Sequence, residues 1–293
     1  MYLLSGALLI LTVAAALHIM WRIRWGFPPG NFPSVLAYHK VTSFEFGGTW
    51  MPPARFAAQI DALLDAGYRF IDEEAFLGVL EGERGGSARE VLLTFDDGYR
   101  ELLDGAVPIL ERRGIPALIF LISDFVGREN EWELRLPGRR FRHLDWDEIR
   151  DLAGRGFTFG SHTCTHRDLR RLPTAAVRTE LLSSKRAIEG HVAAPVRSLS
   201  YPFGLTTPAI AREASRAGYR AAFSMYPPAP NRRIERYNLR REGVYVIDSA
   251  LSLRIKLGRG GMFWCEDLKG RAINAVAVLT PLLKGFGMFR VDR

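Results

Sequence analysis

Short apolar runs that end in polar residues alternate along this chain with segments whose apolar positions recur at helical spacing. Val35-Leu36-Ala37-Tyr38 reads as a first strand and ends at His39. Pro53 to Ala66 reads as a helix stopped by Gly67, Tyr68 to Ile71 as a second short strand, and Glu73 to Leu80 as a helix. Val91 to Phe95 is the third strand, followed by a helix over Glu101 to Arg113 that Gly114 closes. Ala117 to Ile122 is nearly continuous in apolar residues, as a buried parallel strand is. Trp146 to Arg155 and Thr174 to Glu189 read as helices on either side of a strand that begins at Phe157. Arg197 to Tyr201, the helix Pro208 to Ala217 and the strand Tyr219 to Phe223 complete the series. Seven strand–helix alternations, with polar residues at the strand C-termini, predict an α/β fold, a distorted (β/α) barrel of about seven strands.

The ends carry a different pattern. Met1 to Met20 has no charged side chain, and about 20 such residues span a bilayer as a helix. Trp21, Arg22, Arg24 and Trp25 follow as an aromatic and basic interface anchor, so residues 1–25 are expected to be one N-terminal transmembrane helix in the cell (inner) membrane. A cleaved signal ending near Ala14-Ala15-Ala16 is the alternative, although the basic leading region of a signal peptide is missing. Residues 26–33 form a Gly/Pro-rich linker, 34–248 the strand–helix domain and 249–293 a C-terminal extension. In that extension Ala272 to Leu283 is apolar, broken by Pro281 and flanked by Lys269, Arg271 and Lys284. It is either a helix in the membrane interface or one packed on the outside of the barrel. The Arg128 to Arg142 insertion, with Trp132, is either a rim loop near a substrate groove or a solvated excursion.

Two strand ends hold the candidate chemistry. Val91-Leu92-Leu93-Thr94-Phe95 runs into Asp96-Asp97-Gly98, and Gly98 allows a sharp turn. Adjacent carboxylates repel, so the pair needs a cation or a shared proton; a solvated turn without chemistry is the other reading. Phe157-Thr158-Phe159-Gly160-Ser161 ends in His162-Thr163-Cys164-Thr165-His166. Histidines at this spacing can face one divalent metal, and one carboxylate with two histidines is a common set for catalytic zinc. Exposed histidines four apart are also common without any metal.

The motifs Thr94-Phe95-Asp96-Asp97-Gly98, Ser161-His162-Thr163-Cys164-Thr165-His166 and Tyr201-Pro202-Phe203-Gly204 resemble the first three motifs of the polysaccharide deacetylases, the NodB-homology or carbohydrate esterase family 4 group. Leu144-Asp145-Trp146-Asp147-Glu148-Ile149 leads into the histidine motif as in many members, and the resemblance runs from about Ser34 to Val246. It implies that Asp97, His162 and His166 hold a divalent metal, most often zinc, and that Asp96 is the general base. It also implies that Tyr201, Pro202, Phe203 and Gly204 form a substrate wall with a backbone N–H for the oxyanion. Two departures stand out. Many members carry an arginine two residues before the proline of the third motif, and here that position is Ser200. Arg241 could reach in from a later strand, or it is a surface arginine. The C-terminal Leu-x-His motif that supplies the general acid is absent, because the last histidine is His191. The chain looks like the branch of poly-N-acetylglucosamine deacetylases, which share Tyr-His on the first strand. His39 is thus the candidate to contact the acetyl group or donate the proton, or it is a structural histidine. His143 and His191 read as surface or loop residues.

Composition narrows the partners. Lys+Arg 40 against Asp+Glu 32 gives +8, which suits anionic surfaces, but no basic reading helix or stacking motif points to nucleic acid. Cys164 and Cys265 are too few for a disulfide framework, and Cys164 reads as a buried thiol. The leading expectation is a metal-dependent N-deacetylase of an N-acetylated amino sugar in a polysaccharide or glycan. A lipid-linked amino sugar, deacetylated or deformylated at the cytoplasmic membrane face, is an alternative. A non-catalytic glycan-binding pseudoenzyme is one of another class. The side of the membrane is in conflict. Arg22 and Arg24 behind the span favour the cytoplasm, whereas family members acting on exported polymers work outside it.

Overall fold

The computed structural model describes residues 31–45, 48–130, 141–226, 234–258 and 262–285. The expected transmembrane helix over 1–25, most of the linker, and Trp132 with the middle of the charged insertion lie outside the described residues. Among the described residues no helix is long and apolar enough to cross a membrane.

The strands are β1 (Ser34–Tyr38), β2 (Lys40–Val41), β3 (Trp50–Met51), β4 (Arg69–Ile71), β5 (Glu90–Phe95), β6 (Leu118–Leu121), β7 (Thr158–Ser161), β8 (Ser198–Ser200), β9 (Ala221–Met225) and β10 (Leu239–Gly243). The helices are α1 (Pro53–Asp65), α2 (Glu73–Glu81), α3 (Val107–Glu111), α4 (Trp146–Gly154), α5 (Thr174–Val192), α6 (Pro208–Arg216), α7 (Ala250–Gly258) and α8 (Phe263–Gly285). Strands β1, β10, β9, β8, β7, β6 and β5 pair in that order, and β5 pairs back with β1, so seven parallel strands close a barrel.

The ring differs from the expected one in membership. The second expected strand, now β4, pairs with the first half of β5, where Arg69 meets Glu90 and Ile71 meets Leu92. β6 takes over the same edge for the second half, at Thr94 and Phe95. β4 is therefore a flank of the ring. β10 fills the seventh place, and its sequence Leu-Arg-Arg-Glu-Gly lacks the apolar run that marks a buried strand.

Alternation along each strand sorts the side chains into two layers. Val35, Leu92, Leu118, Phe120, Ala221, Phe223 and Leu239 fill the lower interior. Phe76 and Leu77 of α2 and Phe32 belong to the same cluster and close the end where the strands begin. Phe32, at the expected linker, packs edge-on to Phe76 at 5.5 Å, so it is part of this plug. Leu36, Tyr38, Leu93, Phe95, Ile119 and Leu121 point outward to the helices.

Two helices depart from expectation. Glu101 to Arg113 is not one helix: a 3-10 turn spans Arg100–Leu102 and α3 starts only at Val107. Pro108 sits in the first turn of α3, where its missing N–H costs nothing, whereas deeper in a helix it would remove a bond. α8 runs through Pro281 without ending. Its first half packs on the barrel: Phe263 and Asp267 are buried, and Asp267 accepts from Arg240 at 2.6 Å and from Arg271 at 2.7 Å.

Candidate active site

The upper interior of the barrel is polar. β5 turns Thr94 and then Asp96 inward, β8 turns Ser200, β10 turns Arg241, and β7 hands over to His162. Arg241 is fully buried and grips Asp96 with two bonds of 2.7 Å, one to each carboxylate oxygen. The same guanidinium donates to Ser200 Oγ at 2.8 Å and to Thr94 Oγ1 at 3.3 Å, and it stands over the Phe120 ring. The surface reading of Arg241 is thus excluded.

Charge on Asp96 is set by opposing effects. Burial alone would raise its carboxyl, but the Arg241 guanidinium, with His162 and His39 adding to it, holds it well below the usual carboxylate range. Asp96 is ionised and oriented, with no shared proton.

Asp97 faces the other way. Its backbone is left-handed at φ 69°, an uncommon conformation for a residue with a Cβ. Its Oδ1 lies 3.5 Å from His162 Nε2 and 3.5 Å from His166 Nε2. The three ligand atoms lie within 4.8 Å of one another. His162 Nδ1 is 2.7 Å from the Ser200 carbonyl, which can only accept, so Nδ1 carries the proton and Nε2 keeps its lone pair towards Asp97. Burial, partly offset by Asp96, lowers the His162 pKa. Burial and then His162 push the His166 pKa far down, with His39 and His143 adding to it. Two neutral imidazoles and a carboxylate converging on one point fit a divalent cation such as zinc.

His39 is half-buried at the end of β1, close enough to act electrostatically on both Asp96 and His166. The third motif divides its four residues. Ser200 points inward, so the next residue, Tyr201, points outward. It is buried among the strand–helix side chains and donates to the Tyr237 carbonyl at 3.0 Å. Its side chain is thus no part of a substrate wall. Phe203, at φ 58°, lies beside His166 with ring centroids 4.9 Å apart. Gly204 is at φ 66°, and a Cβ there would meet the Met225 backbone nitrogen at 2.4 Å, so only glycine fits. The Tyr201 N–H pairs with Phe223 O and the Gly204 N–H with Tyr201 O, and Pro202 has none. These bonds leave the Phe203 N–H as the donor of the motif that they do not use.

His143 corrects the sequence reading. It is buried, stacked on Tyr99 at 4.8 Å, and its Nδ1 lies 2.7 Å from the Asp97 carbonyl. It secures the left-handed turn that aims Asp97. His191 packs on Trp146 at 4.0 Å, at the surface as expected. Cys164 is a free, buried thiol, which burial pushes up to about 11.

The polysaccharide deacetylase profile matches residues 83–222. The chitooligosaccharide deacetylase of Bradyrhizobium sp. (strain ANU 289) is 30% identical over 213 residues, 68% of this chain and 86% of the relative. The chain belongs to the polysaccharide deacetylase family. A poly-beta-1,6-N-acetyl-D-glucosamine N-deacetylase of Staphylococcus aureus is 23% identical, covering 77% of this chain and 78% of the relative. The structure of IcaB from Ammonifex degensii superposes with a TM-score of 0.62 at 23% identity, over 80% of this chain and 97% of that one, and shares the fold. As a polysaccharide deacetylase the protein is a hydrolase acting on the amide bond of N-acetylated sugars.

Proposed function

We propose that this polysaccharide deacetylase is a metal-dependent N-deacetylase that hydrolyses the acetamido group of an amino sugar within a glycan. The observation that carries the reading is the division of labour between two adjacent acids. Arg241 holds Asp96 ionised, and Asp97 joins two neutral histidines 3.5 Å away.

In this reading Asp97, His162 and His166 hold the divalent metal, zinc by its donor set. When bound it supplies Lewis acidity toward the amide carbonyl and the attacking water. Asp96 takes the proton of that water as general base, and the two-bond grip of Arg241 fixes the direction in which it accepts. The Phe203 N–H helps to hold the oxyanion, and His39 protonates the departing amine. Glycan deacetylation also suits the relatives, whose names specify chitooligosaccharide and poly-beta-1,6-N-acetyl-D-glucosamine. The test is acetate release from defined N-acetyl glycans with and without chelator. Full activity in chelator would overturn the metal, and no release from any of them would overturn the glycan.

A second reading changes the carrier: a lipid-linked amino sugar at the cytoplasmic membrane face. It is favoured by Arg22 and Arg24 standing behind the uncharged Met1 to Met20. A reporter fused after Arg293 tells the two topologies apart.

A further inference from the structure

We propose that Glu180, on α5, is a positioning residue of the metal site that sets the affinity for the divalent cation; this rests on the metal reading above. Between His162 and His166 the chain leaves the sheet, and its N–H groups lose their strand partners. The turn also holds two side-chain-bearing residues in the left-handed region, Thr163 at φ 70° and His166 at φ 55°. Such conformations are strained for a residue with a Cβ and persist only where their surroundings hold them.

The partners of this turn can be enumerated. The Thr163 N–H goes to Ser161 Oγ at 3.2 Å and the His166 N–H to Thr163 Oγ1 at 3.2 Å, both local. The two N–H groups between them, of Cys164 and Thr165, both go to Glu180 Oε2 at 2.9 Å. The Thr165 hydroxyl donates to the other oxygen, Oε1. One carboxylate therefore takes three donors from the middle of the turn. On the carbonyl side Ser123 N and Asp124 N bond Thr163 O and Cys164 O at 3.1 Å. Glu180 is buried, so these bonds are shielded from competing water. It touches neither Asp97 nor the histidines in this network. It fixes the path of the backbone that carries His166 to within reach of Asp97.

The proposal is tested by zinc titration against a chromophoric chelator on the full chain, with the fold of each apo variant followed by circular dichroism. His166→Ala should lose the metal; if it binds as the wild type does, the metal reading itself fails. Glu180→Ala should weaken zinc binding by about 10–100-fold, the usual effect of losing an outer-shell partner. Glu180→Gln retains an acceptor for both N–H groups and should stay within a few-fold of wild type. Glu180→Asp keeps the charge but draws it back by one methylene, and should weaken binding by about tenfold. It serves as the reporter should the alanine variant not fold. Wild-type affinity in folded Glu180→Ala or Glu180→Asp, with His166→Ala defective, overturns the role of Glu180 and leaves the metal site standing.

Discussion

Ser200 Oγ stands 2.8 Å from Nη2 of Arg241, and this contact ties the third family motif to the last barrel strand. Serine is small enough to leave the space above Phe120 open, and the guanidinium from β10 occupies it. Ser200 then serves three partners: it accepts from Arg241, donates to Asp96 Oδ2 at 3.3 Å, and offers its carbonyl to His162. An arginine supplied from β10 thus reaches Asp96 although position 200 is a serine.

Replacing Arg241 by methionine should be costly in two ways. Asp96 would remain buried without its partner, and loss of one member of a buried pair destabilises by about 3–5 kcal/mol. Burial, which raises a carboxyl, would then be opposed only by His162 and His39, so the acid limb of the pH–rate profile should move to higher pH. Denaturant unfolding and a rate profile check both; an unchanged midpoint together with an unmoved limb would remove Arg241 from the account.

The two acids should separate cleanly. Asp96→Asn should keep the metal and lose turnover by about 10²–10⁴-fold, the usual contribution of a general base. Asp97→Ala, His162→Ala and His166→Ala should each lose both metal and activity, because each removes one of three ligands. Full metal occupancy in all three, measured by elemental analysis, would refute the ligand set; near-normal turnover in Asp96→Asn would refute the base.

His39 is tested through the turnover number. It sits at the end of β1, in the electrostatic reach of Asp96 and His166, and no histidine follows His191 to act as the acid. His39→Ala should retain fold and metal and fall chiefly in kcat, with KM little changed. Unaltered kinetics would make His39 structural.

The barrel and the two acid–histidine strand ends were legible because apolar period and polar termini are local signals. Asp96 and His162 directly follow such runs, with Asp97 and His166 in the turns behind them, and the structure gathers the four at one end of the barrel. β10 was harder to read, since it carries polar residues on both faces in place of an apolar run: Arg241 points into the polar upper interior, and Arg240 and Glu242 pair with each other on the outer face. Tyr201 was misplaced because a motif reads as a unit, whereas alternation sends its members to opposite faces of the sheet. His143 and Glu180 could not be found from the sequence. Most of their partners are backbone groups, of Asp97, Cys164 and Thr165, and a contact to backbone leaves no trace in the partner's identity.

The remaining prediction concerns stability far from the chemistry. Glu73 lies in the first turn of α2, almost fully buried, and burial pushes its carboxyl up to about 7 against the pull of Arg197, whose Nη1 is 3.9 Å away. The folded chain therefore binds this proton more tightly than the unfolded chain, where the ordinary value is 4.5. Its contribution is fully present below pH 4.5 and is lost as pH rises through about 7. The shift corresponds to about 3 kcal/mol, at 1.36 kcal/mol per unit. Glu73→Gln stays neutral and should not show this loss. Denaturant unfolding of the wild type and the variant from pH 4 to 8 isolates the effect, because every other titrating group is common to both. The variant should gain on the wild type steadily across that window and level off above it. A difference that stays constant with pH would mean that Glu73 titrates in the folded chain as it does in the unfolded one.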